Sequence, residues 1–74
     1  MATTWHERFQ AARAARIDAE AAHEDAFKKL MAKADAFYAG HGPRLTVEDR
    51  QEFVASGQRL SAAEAELFDN VMNE

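Results

Sequence analysis

The chain of 74 residues has no cysteine, a single proline and three glycines. Without cysteine there is no disulfide framework, no thiolate metal site and no thiol nucleophile. With proline and glycine so scarce, few points can break a helix, and all four cluster at 40–43 and 57. Large apolar side chains are also few, because much of the 47% hydrophobic content is alanine, which buries little area. No run of about 18 apolar residues exists and "MATTWHERFQ" carries no apolar signal core, so neither membrane spanning nor secretion is indicated and a cytoplasmic setting is expected. Arginine exceeds lysine and alanine abounds, a composition of GC-rich bacterial or phage coding sequence.

Helix grammar is what remains. Thr4 opens the first helix with a capping box, its hydroxyl facing the amide of Glu7 and the Glu7 carboxylate reaching back. From Trp5 to Ala39 good helix formers dominate without interruption. Gly40 then fits a left-handed C′ position, and "GHGP" cannot continue a helix. The spacing predicts a helix over about 5–39, roughly 50 Å long, and a loop over 40–46.

Thr46 with Asp49 repeats the grammar for a second helix, and here two readings compete. "RLTVEDRQEF" and "RLSAAEAELF" align, with Gly57 as a stop and Ser61 with Glu64 as a further cap, which gives two short helices over about 47–56 and 62–73. Against this, Phe53, Gly57, Leu60, Glu64, Leu67 and Val71 keep one 4-3-4-3-4 phase straight through Gly57, as a single seam does. A connecting loop has no reason to keep phase, so the reading favours one helix over about 47–73, kinked or straight at Gly57. The fold class is all-α, an antiparallel helical hairpin in one domain over 1–74.

If the chain folds back symmetrically about its short connector, facing residue numbers total about 85. The net charge of −4 is polarised in agreement: residues 1–16 sum to +2, with Arg8, Arg13 and Arg16 against Glu7, and residues 45–74 sum to −5, with seven acids against Arg50 and Arg59. The arginines then lie beside Glu66, Asp69 and Glu74, Lys33 falls near Glu52, and Trp5 overhangs the end of the second helix.

The apolar stripes are wider than one neighbouring helix can cover. Phe27, Leu30, Met31, Phe37 and Tyr38 mark the first helix, with Phe9, Ala12 and Ala34 in line. Phe53, Leu60, Leu67, Phe68 and Val71 mark the second, with Val54 and Met72. An isolated hairpin leaves part of this surface wet, which predicts a homodimer, a four-helix bundle. Trp5, Arg8, Phe9, Arg13 and Arg16 are the candidate contacts for another protein, since Trp and Arg dominate interface energetics; the alternative is that Trp5 and Phe9 pack within the dimer.

A polar interruption, "RIDAEAAHEDAF", places Arg16, Glu20 and His23 on or beside the apolar face, with Glu64 opposite. Glu20-x-x-His23 plus Glu64 has the ligand pattern of ferritin-like di-metal carboxylate proteins, and a dimer supplies two sets; Arg16 one turn from Glu20 opposes a cation there. The same residues read more readily as a buried polar layer fixing register, and most readily as an exposed i, i+4 pair, with Glu64 capping the last helix. No cofactor is indicated.

Other functions fail on chemistry. A helix-turn-helix drawn through 46–70 has "SAAEAELFDN" as its reading helix, which repels phosphate, so direct nucleic-acid binding is not expected. "AGHGPR" is no phosphate loop. Ser56 and Ser61 lack an oxyanion donor, and of His6, His23 and His41 only His23 is placed to approach Ser61. The sequence therefore points to a small non-enzymatic interaction protein, a regulator, adaptor or inhibitor, with the metal-binding carboxylate protein as the alternative.

Overall fold

A computed structural model describes residues 4–72. Two helices, α1 (Trp5–Tyr38) and α2 (Val47–Met72), pack side by side as an antiparallel hairpin, with no strand among the described residues. Thr4 caps α1, accepting from the Glu7 amide at 3.1 Å. At the other end the His41 amide donates to the Ala36 carbonyl and the Gly40 amide to Phe37, with Gly40 at φ 80°. This is the paired closure of a Schellman end, which needs a left-handed residue. Thr46 and Asp49 start α2 reciprocally: the Thr46 amide donates to the Asp49 carboxylate at 2.9 Å, and the Asp49 amide to the Thr46 hydroxyl at 3.3 Å.

α2 runs unbroken through Gly57. The phase of the apolar positions outweighs the helix-breaking signals, and Ser61 and Glu64 stand on the helix surface instead of forming a cap. An interior glycine costs only about 1 kcal/mol, less than would be lost by abandoning the second half of the seam.

The register differs from the symmetric fold-back. Lys33 meets Asp49 at 2.7 Å, not Glu52, and His23 meets Ser56 at 2.9 Å, not Ser61. Trp5 does not overhang, since its indole N–H donates to the Asn70 carbonyl. The cause lies in the connector. After Gly40 the chain hugs the last turn of α1 so closely that a Cβ on Gly42 would come within 2.9 Å of the Ala36 Cβ. It therefore turns back lower on α1, and α2 slides about one turn toward the α1 N-terminus.

Among the described residues only Ala12, Ala19, Ala26 and Ser56 are buried. The three alanines repeat every seventh residue, so α1 presents a row of small side chains and α2 answers with Ser56 and the half-buried Ala63. The helices meet along this row, while Phe9, Leu30, Phe53, Leu60 and Leu67 pack half-buried along it. The result is a rod of 56 × 20 × 16 Å. Its radius of gyration is 16.9 Å, against about 11 Å for a globular domain of this length. Its accessible surface is 5782 Å², against about 4,600 Å² for a folded monomer of 8.3 kDa. Roughly 1,200 Å² that a globule of this mass would bury therefore stays open.

Candidate interaction face

At 100° per residue the positions beside the seam separate into two broad faces. One carries Ala22, Asp25, Ala55, Glu52 and Arg59 along shallow grooves, small and charged groups suited to water. The other carries large apolar groups. Phe27 is 48% exposed, Tyr38 83% and Phe68 65%, and Met31, Val47, Val54 and Val71 are exposed on the same side. The exposed members of the expected core (Phe27, Met31, Phe37, Tyr38, Phe68 and Val71) thus lack cover within the hairpin.

This face has two apolar ends and a polar middle. At the connector end an open groove of about 630 Å³ runs between Leu30, Met31, Ala34 and Tyr38 on α1 and Leu45, Val47 and Arg50 beside them. At the terminal end Leu67, Phe68 and Val71 line a smaller groove of about 240 Å³ with Arg16 and Glu64. Between them Arg16 and Glu20 form an i, i+4 ion pair at 3.3 Å with both side chains partly in water, a geometry worth a few tenths of a kcal/mol.

His23 is the polar group that reaches the seam. It is half-buried, its ring stacks on Phe53 with centroids 4.8 Å apart, and its Nδ1 lies 2.9 Å from the Ser56 Oγ. The Ser56 hydroxyl already donates to the Phe53 carbonyl at 2.7 Å. It therefore accepts from His23, which puts the ring proton on Nδ1. Gly57 makes room for this ring, since a Cβ there would sit 3.3 Å from the His23 Cε1. A polar layer thus exists at mid-seam, made of His23 and Ser56 and not of Arg16, Glu20 and Glu64. Glu20, His23 and Glu64 do not gather: no group of three potential metal ligands forms among the described residues. With the one-turn slide Glu64 lines a groove with Arg16 instead.

The other structured charge is Asp49. Its carboxylate takes Lys33, the Thr46 amide and the Thr46 hydroxyl together. The hydrogen bond from Lys33 chiefly, then that from the Thr46 amide, holds its pKa down at about 2.

Of the expected partner-binding residues, Trp5 stacks on Phe9 at 5.3 Å and both are half-buried at the end of the seam, while Arg13 is exposed and Arg16 is engaged with Glu20. The premise of an uncovered overhang does not hold, because α2 reaches Trp5. Two features escaped the sequence reading. Ile17 is 52% exposed on the outer side of α1, and the seam follows the alanines. The signal for the latter was present, a small residue at every seventh position from Ala12 to Ala26.

No protein-family model matches the chain, and neither a curated protein nor a solved structure is detectably similar to it. No helix is long and apolar enough to cross a membrane among the described residues.

Proposed function

We propose that this chain is a small non-enzymatic interaction module, a regulator or adaptor, whose working unit is a homodimeric four-helix bundle formed through the apolar face. The observation that carries this is the segregation of Phe27, Met31, Tyr38, Val54 and Phe68 to one face of a rod whose buried residues, among those described, are three alanines and a serine. Large apolar side chains left exposed together on one face, rimmed by polar groups, mark interaction sites. A face of 56 × 20 Å offers on the order of 1,100 Å² in projection, enough for the ~800 Å² per partner of a standard interface. The surface in excess of a globule's is of the same order. The most structured polar groups, His23 and Asp49, are engaged in holding the hairpin together, which suits a structural and not a catalytic use of them.

The test is to place charge on each face in turn. Phe27→Glu or Phe68→Glu should dissociate the dimer in sedimentation velocity, whereas Ala22→Glu and Ala55→Glu, on the opposite face, should leave it intact. Equal effects from both faces would overturn the assignment.

A further inference from the structure

The charges on the apolar face fix how a second copy sits on it. Arg13 on α1 has no ion-pair partner among the described residues, and neither have two charges of the other helix, Arg50 and Glu64. Both stand on α2, seven residues to either side of Gly57. Arg50 lines the connector-end groove and Glu64 the terminal-end groove, so each charge stands at the rim of an apolar patch. Gly57 and His23 are neighbours across the seam, close to the midpoint of α1.

We propose that the second copy lies antiparallel on this face, α1 on α1 and α2 on α2, with the twofold axis at the level of Gly57, so that Arg50 of each copy meets Glu64 of the other. This inference rests on the dimer reading above and adds its orientation. A twofold axis there exchanges positions equally far from Gly57 on α2. Arg50 falls opposite Glu64, Val54 opposite Leu60, and Val47 opposite Leu67 and Phe68. On α1 the same axis sets Phe9 against the Phe37–Tyr38 aromatic pair, which lie edge to face with centroids 5.7 Å apart. Each apolar end thus lies on the other apolar end, and the isologous contact uses each ion pair twice. The one position at the crossing of the two α2 helices is a glycine, which lets them approach closely.

The competing arrangement puts both connectors at one end. It sets α1 of one copy over α2 of the other, so Arg50 lies over Leu30 and Met31 with no carboxylate at its level. Glu64 then lies over Arg16, which already holds Glu20. A buried arginine without a partner is disfavoured, and complementary charges fix the register of an interface.

The experiment is a charge swap read by the dimer dissociation constant, with helicity followed by circular dichroism. Arg50→Glu and Glu64→Arg should each raise the dissociation constant about tenfold, and the double swap should return it to within about threefold of the unaltered chain. An inert Arg50→Glu, or a double swap no better than Glu64→Arg alone, overturns the orientation. As a second reading, chains bearing Val47→Cys are mixed with chains bearing Phe68→Cys and oxidised. The antiparallel dimer gives the mixed disulfide, and absence of that species from a protein of dimeric mass overturns the orientation while leaving the dimer standing. A monomeric mass for the unaltered chain overturns both.

Discussion

Gly57 and His23 form a pair whose coupling can be worked out in advance. In an open helix interior, Gly→Ala stabilises by about 1 kcal/mol. Here the new Cβ lies 3.3 Å from the His23 Cε1, closer than carbon atoms settle, so the ring must shift by a few tenths of an ångström. It is not free to shift. Phe53 stacks on it at 4.8 Å and Ser56 holds Nδ1 at 2.9 Å. Weakening that hydrogen bond costs about 1 kcal/mol, and disturbing the ring pair adds a further ~0.5 kcal/mol. Gly57→Ala should therefore change stability by less than about 0.5 kcal/mol despite its helix propensity. In a His23→Ala background the obstacle is gone, and the same substitution should stabilise by about 1 kcal/mol, or roughly 4–8 °C in melting temperature. The assay is a double-mutant cycle by thermal and urea unfolding, at one protein concentration because the stability of the proposed dimer would depend on it. If Gly57→Ala gains the full amount with His23 present, the two residues do not touch as described and the mid-seam layer is wrongly built.

Two further outcomes follow from the seam and its ion pair. The Asp49 carboxyl, held at about 2, titrates below its unfolded value near 3.9; its contribution is therefore present above about pH 4 and lost as pH falls toward 2. Acid titration followed by circular dichroism should show this loss, and Asp49→Asn should remove it while lowering stability at neutral pH. Ala19→Leu, at a position 5% exposed where the helices meet, should overpack the seam and destabilise by about 1–3 kcal/mol. A neutral effect in urea unfolding would show that the helices do not close on the alanine row.

Much of this architecture can be read in the residues, because its determinants are local. Thr4 with Glu7, Thr46 with Asp49 and the Gly40 stop each act within a few positions, and the helix ends fall where they point. Continuity through Gly57 is legible for a related reason, since a seam imprints its period on every turn it spans. The offset between the helices is not local. It depends on how tightly 40–42 folds onto Ala36, and a shift of one turn there exchanged Glu52 for Asp49 opposite Lys33 and Ser61 for Ser56 opposite His23. Every site inferred from facing residues moved with it. Trp5 gained a partner in Asn70, and the Glu20, His23 and Glu64 trio came apart. The alanine row is hard to read from sequence because large apolar residues mark what is left exposed, while small ones mark where two helices touch.

One hairpin leaves Phe27, Tyr38 and Phe68 exposed on one face, and in the proposed dimer a second copy covers them. Molar mass by light scattering, followed across a dilution series through micromolar concentrations, decides whether that second copy is there. The expected mass is about 17 kDa, twice the 8.3 kDa of the chain, giving way on dilution to less stable monomer. A mass that stays at 8.3 kDa, with cooperative unfolding independent of concentration, would contradict it.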